Sequence, residues 1–225
     1  QQRCGRCALT ARAHHDQVVA VLCRQDRARR VVVDEFGRVV DAAPVEALDE
    51  RPEGIALDAG AHDNQIGGTA AGSGNFVSLN LGAGMRLANN SDSNLVRANW
   101  IGLAPNGTTA GNGGDGVRIE SASSQNLVAG NVISANGGAG VRIDGVATDS
   151  TALDANLIGV DPTGVLDRGN AGHGVQVSGG AKSNRIGSAA GLGNQIAGNS
   201  QDGIHVFFDG TATTEIYTNL VGLNA

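Results

Sequence analysis

Large side chains are scarce in this sequence: aromatic residues make up 3% of its 225 positions, as one Trp, one Tyr and four Phe. A thick globular core packed around big rings is therefore excluded. Charge is sparse too, at 17% of residues against about a quarter in ordinary domains. The net charge of −6 excludes general nucleic-acid binding, which needs a basic surface to displace phosphate counterions. No apolar run approaches the roughly 18 residues of a membrane span, so no membrane insertion is expected. With four prolines and no strict three-residue glycine period, collagen is excluded as well. No charged, then apolar, then small-residue leader pattern follows Gln1.

What is present is unevenly distributed. Residues 1–53 hold 9 of the 15 arginines, all three cysteines, two glycines and no asparagine, and their formal charge is zero. Residues 54–225 hold 33 glycines, all 19 asparagines and the whole net charge. The break divides an N-terminal segment, 1–53, from a differently built part, 54–225. The N-terminal segment reads either as a cap on the larger part, with a helix starting at Asp16 and a hairpin or irregular coil over 30–41, or as a poorly ordered stretch.

The larger part is a repeat. Gly-h-x-h, with h apolar, starts at Gly54, Gly84, Gly116, Gly140, Gly174 and Gly203. Ten or eleven residues on comes Asn64, Asn94, Asn126, Thr151, Asn184 or Thr214, each followed two places later by an apolar residue. A second asparagine is present in every unit, Asn75, Asn99, Asn131, Asn156, Asn194 and Asn219, again with Val or Ile two places beyond. Each apolar–polar alternation spans three or four residues, too short to bury its own face. Burial therefore requires stacking on the equivalent strand one coil away. At ~4.8 Å per strand, six coils of three strands rise roughly 29 Å. Stacked asparagines are expected to hydrogen-bond as ladders, and glycine and asparagine to take the left-handed corners. Parallel crossovers are overwhelmingly right-handed. The expected fold is thus all-β, a right-handed parallel β-helix of about six coils.

Alternate coils carry a long excursion, 102–115 and 159–173, and the first and fifth carry a shorter insertion between their asparagines, so the true unit is two coils. Asn-x-Ile-Gly, then Gly-Asn-x-Ile-x-x-Asn, then Gly-Val/Ile-x-Ile/Val resembles the β-helix repeats of bacterial secreted and cell-surface proteins, with the pectin-lyase-like proteins as broader relatives. The resemblance covers residues 54–225 and implies an extracellular or cell-surface location. It implies no single activity, since that architecture carries lyases, hydrolases, epimerases and adhesins. The chain stops at Ala225, six residues after Asn219, where the next excursion is due, so a fragment of a longer protein with further domains is expected.

The outward positions of the first strand run Ala56, Arg86, Arg118, Arg142, Gln176 and His205. Two residues on they run Asp58, Ala88, Glu120, Asp144, Ser178 and Phe207. Arginine forks suit carboxylates, so a uronate-rich polysaccharide fits this column. Polysaccharide lyases resembling this fold pair a cation on the uronate carboxylate with a base. Hydrolases need two carboxylates, for which Glu120 and Asp144 are the candidates. Against both stands interleaving of charge merely to solvate a parallel face. A second outward column, Phe76, Trp100, Val132, Leu157, Gln195 and Leu220, is mostly apolar, and is expected to lie under the excursions or to offer Trp100 as a platform for sugar.

Other chemistry is thin. Cys4, Cys7, His14, His15 and Cys23 lack the second close pair that a zinc knuckle needs, so no metal site is expected. Gly113-Gly-Asp-Gly resembles a piece of a calcium-binding glycine-rich nonapeptide, but those motifs recur in tandem and this one does not. His173 and His205 read as separate, solvated imidazoles. No cofactor and no catalytic residue is assigned. The sequence points to a non-catalytic stalk or carbohydrate-contacting adhesion module. The alternative is a lyase, epimerase or hydrolase of acidic polysaccharide, with Arg86, Arg118, Arg142, Gln176, His205, Glu120, Asp144 and Trp100 as the ligand-contacting candidates.

Overall fold

The structure, a computed structural model, describes residues 31–33, 39–41, 53–70 and 72–222. The thiols and imidazoles of the N-terminal segment and the helix start at Asp16 lie outside the described residues. All regular elements among the described residues are strands of two to four residues. They form three parallel sheets, each taking one strand from each of six coils, wound as a right-handed β-helix. The first sheet contains Ile55–Leu57, Met85–Leu87, Val117–Glu120, Val141–Asp144, Val175–Ser178 and Ile204–Val206. At its N-terminal edge Val31–Val33 adds in parallel, and Val39–Asp41 pairs with that strand antiparallel.

Alternation places one face of each strand inside. Leu87, Ile119, Ile143 and Val177 stack in register in the first sheet and are fully buried. Val96, Val128 and Leu153 do the same in the second, and Ile101, Ile133 and Ile158 in the third. The bore is too narrow for rings, which explains the scarcity of aromatics. It also explains glycine at the head of each first strand. A Cβ on Gly140 would lie 2.6 Å from Ile158 Cγ2 and 2.7 Å from the Gly174 carbonyl oxygen.

The asparagines are the frame. In the second ladder Asn131 Oδ1 accepts both the backbone N–H of Asn99, at 2.9 Å, and its side-chain Nδ2–H, at 3.1 Å. Asn131 in turn donates both groups to Asn156 Oδ1 at 3.0 Å, and its Nδ2 also reaches the Val96 carbonyl at 2.9 Å. One side chain thus satisfies buried groups on three coils. A third ladder, whose asparagine closes the Gly-Asn-x-Ile-x-x-Asn motif only in the coils without an excursion, runs Asn80, Asn112, Asn136, Asn170 and Asn199 with the same geometry. Each of these five lies four residues before the glycine of the next coil.

The corner geometry follows expectation for glycine, with Gly67, Gly102, Gly159 and Gly187 at positive φ, and departs from it for the ladder asparagines. The ladder asparagines are not the left-handed residues; throughout the first ladder and in part of the second, the residue immediately before is. Asp63, Ser93, Gln125, Ser150, Ser183 and Thr213 precede the first ladder, and Ala98, Ala155 and Thr218 the second, all with φ between 52° and 57°. An L-residue there costs roughly 1–2 kcal/mol, and the paired hydrogen bonds of the adjoining asparagine offset it.

Thr151 interrupts the first ladder: its hydroxyl is buried and has no hydrogen-bond partner. Replacing Asn131 by Ala strands the Asn99 N–H and is expected to cost about 2–4 kcal/mol. Thr151→Asn, which supplies the missing acceptor to Asn126, is expected to gain about 1 kcal/mol. Urea unfolding of the two variants beside the parent checks both signs.

Candidate functional site

The outward column of the first sheet is in register as the repeat implies: Ala56, Arg86, Arg118, Arg142, Gln176 and His205 are successive strand partners. Glu120 sits between two of the arginines. Its Oε1 accepts from Arg86 Nε at 2.6 Å, and its Oε2 lies 2.7 Å from Arg118 Nη2. Burial opposes the Arg86 charge, but the hydrogen bond and charge of Glu120, helped by Glu53 and Asp58, outweigh it and hold its pKa above the ordinary arginine value. Arg118 is the most open of the three, with 41% of its side chain exposed, and its Nε is buried without a partner in the protein. Asp144 is the strand partner of Glu120, but its Oδ1 accepts from Ser178 Oγ at 2.6 Å. Glu120 and Asp144 are therefore both engaged. Gln176 does not face solvent: it is 7% exposed, between Arg142 and His205 in the register.

A neighbouring column escaped the sequence reading. It occupies the position one residue before each glycine: Glu53, Ala83, Asp115, Ala139, His173 and Asp202. Asp115 from this column holds Arg142, with Nε donating to Oδ2 at 2.8 Å. Two coils further the chemistry changes. His173 Nε2 lies 3.1 Å from His205 Nδ1, and His205 Nδ1 lies 3.1 Å from Asp202 Oδ2. The two imidazoles read as separate from spacing are in contact, their rings meeting edge to face at 4.5 Å. Burial first, then the charges of His205 and Arg142, hold the His173 pKa below 6.5 against the pull of Asp202. His173, Asp202 and His205 also form a group whose ligand atoms all lie within 4.8 Å, close enough to share a cation.

The line of rings continues past the imidazoles. Phe207 packs 4.4 Å from His205, and Phe208 4.5 Å from Phe207. Phe208 is 68% exposed on a left-handed backbone with φ 73°, an unusual conformation for a bulky residue. The adjacent pair Phe207-Phe208 on an outward strand end was the available signal for this feature.

The apolar column of the third sheet is covered at its centre only. Val132 is buried, Trp100 is half-buried, and Phe76 and Leu220 at the two ends are exposed. Trp100 meets Phe76 edge to face at 5.2 Å. Both excursions fold as small hairpins, bridged at Leu103–Thr109 and Val160–Asp167. The second reaches the column where the Gly164 carbonyl accepts from Gln195 Nε2 at 2.6 Å.

No family model matches the chain, and no curated protein matches it in sequence. Among solved structures it is similar to the periplasmic alginate epimerase AlgG, in two crystal structures. One, of a single-substitution mutant, has a TM-score of 0.55 and 19% identity, and the match covers 75% of this chain and 36% of that one. The other has a TM-score of 0.50 and 17% identity, with 73% and 36% covered. The chain thus spans about a third of its neighbours' length, and the likeness establishes the parallel β-helix. Among the described residues no helix is long and apolar enough to cross a membrane.

The second excursion is pinned by Asp161, which accepts from the Val165 and Leu166 N–H groups at 3.0 Å and from Thr163 Oγ1 at 2.8 Å. Burial raises its pKa, but these donors outweigh that and hold the carboxyl below 3.8. A depressed folded pKa supplies stability above the unfolded value and loses it as pH falls through the folded one. Asp161→Asn is therefore expected to start less stable at neutral pH and to lose less on acidification below 3.8, as read by thermal unfolding across that range.

Proposed function

We propose that the outward face of the first sheet is a carbohydrate-contacting surface, and that the chain acts as a non-catalytic adhesion module of a secreted or surface-displayed β-helix protein. One observation carries the reading. Arg118 and Arg142 on adjacent strands and, beyond the covered Gln176, His205, Phe207 and Phe208 set planar side chains along one face of the helix. Planar rings present a negative face to the polarised C–H groups of a sugar, and guanidinium forks hydrogen-bond hydroxyls and carboxylates. A rigid coil stack presents these groups at strand spacing without ordering cost on binding. Each arginine already holds a carboxylate, so a uronate has to displace Glu120 or Asp115, and salt sensitivity reports whether it does. The module's place outside the cytoplasm goes with this reading and with the periplasmic setting of AlgG.

The test is affinity for a panel of neutral and uronate-containing polysaccharides at several ionic strengths. Binding is expected to weaken about tenfold or more in Phe208→Ala and in Arg118→Ala, the loss of a stacked ring or charged hydrogen bond being worth about 1–3 kcal/mol. Binding to no glycan, or binding indifferent to both substitutions, ends the proposal.

A second reading, an enzyme on acidic polysaccharide, is favoured by the epimerase activity named for AlgG. Hydrolysis is the weaker variant, because Glu120 and Asp144 are engaged by Arg86, Arg118 and Ser178. Epimerisation or elimination needs a cation on the uronate and a neutral base, and Arg142 lies within electrostatic reach of His173. Prolonged incubation with alginate in heavy water separates the readings. Solvent deuterium at C5 of the uronate, or new unsaturated ends, establishes catalysis; the adhesion module predicts neither.

A further inference from the structure

We propose that His173, Asp202 and His205 form a binding site for a divalent first-row transition-metal ion, represented by Zn²⁺. His173 and Asp202 occupy the same position in successive coils, one residue before Gly174 and Gly203, and His205 is carried on the strand next after Asp202. The stack therefore delivers one ligand from one coil and two from the next to a single point on the outward face.

The distances suit an ion. Ligand atoms about 2.0–2.2 Å from a tetrahedral zinc lie roughly 3.3 Å from one another. His205 Nδ1 is 3.1 Å from both His173 Nε2 and Asp202 Oδ2, and one ligand atom from each of the three residues lies within 4.8 Å of the others, so an ion needs only the remaining pair to draw in.

The hydrogen bonding of the metal-free cluster is also incomplete. An imidazole nitrogen has one in-plane position, holding either a proton or a lone pair. His205 Nδ1 therefore cannot hydrogen-bond both of its close neighbours. A cation placed among the three atoms satisfies all of them at once. The Asp202 backbone N–H donates to His173 Nδ1 at 3.2 Å, which puts the His173 proton on Nε2 when no metal is bound. Coordination through Nε2 shifts that proton to Nδ1, at the expense of the backbone contact. The Phe207 ring, 4.4 Å from that of His205, limits the imidazole's rotation.

Two imidazoles and one carboxylate favour zinc, nickel, cobalt or copper over calcium and magnesium, which prefer all-oxygen shells. Three protein ligands leave a fourth position for water or for an oxygen of a bound chain. Asp202 and His205 are 64% and 38% exposed at their side chains, so that position opens to solvent. The site does not depend on glycan binding. A bound metal takes the lone pairs that proton transfer by the same imidazoles would require, so the two assignments exclude one another.

The test is calorimetric titration of Zn²⁺ and, separately, Ca²⁺ into the full chain carrying Cys4→Ser, Cys7→Ser and Cys23→Ser, which removes competing thiolates, with no polysaccharide present. One Zn²⁺ per chain is expected, weakened on the order of tenfold or more by His205→Ala and by Asp202→Ala. His62→Ala, at an imidazole paired with its neighbour Asp63, is expected to leave it unchanged. Thermal unfolding in chelator shows that the variants fold, and added Zn²⁺ is expected to raise the midpoint of the parent but not of His205→Ala. Absence of saturable Zn²⁺ binding, binding indifferent to His205→Ala, or equal binding of Ca²⁺ overturns the proposal.

Discussion

A carboxamide oxygen that accepts two donors from the coil below is the interaction on which the rest of this structure depends. Strands of two or three residues cannot bury a face alone, and every sharp corner between them turns backbone N–H groups inward. Asn94, Asn99 and Asn112 each give both N–H groups to the asparagine above, Asn126, Asn131 and Asn136. With three such ladders, one near each corner, the coils have one register. A slip of a single residue would expose the apolar stack and break the ladders together.

Register fixes the surface as firmly as the core. Three arginines one strand apart repel one another, and the face is viable because acids come in from flanking columns: Glu120 between Arg86 and Arg118, Asp115 beside Arg142. That regular interleaving is what a scaffold requires. Chemistry begins where the pattern departs from it. In the last coils glutamine and histidine replace arginine, and histidine then aspartate replace the acid–alanine alternation of the flanking column. There two imidazoles, a carboxylate and two phenyl rings meet within a few ångströms of one another.

Most of the architecture was legible in the residues, because a repeat states its own alignment. The Gly-h-x-h heads and two of the three asparagine series give the strands, their inward faces and the arginine column in the register observed. The third series showed only as the last asparagine of Gly-Asn-x-Ile-x-x-Asn, and was not followed as a ladder because the excursions fall between the second and third asparagines of alternate coils and vary the spacing counted forward. Counted backward from each glycine, Asn80, Asn112, Asn136, Asn170 and Asn199 are equally spaced. Forward counting also separated His173 from His205: one ended an excursion and the other sat on a strand, so they read as isolated. Burial was the least legible property, since Gln176 and Ala88 occupy outward positions yet are buried. Pattern gives direction and leaves exposure open.

The central claim, that stacked asparagines lock the coils together, is tested most directly by native-state hydrogen exchange at the ladder amides. The backbone and side-chain N–H groups of Asn99, Asn131 and Asn156 are predicted to exchange only through global unfolding, as slowly as the strand amides of Ile133 and Val128. Exchange of these ladder protons at rates typical of surface loops, while the strand amides stay protected, would contradict it.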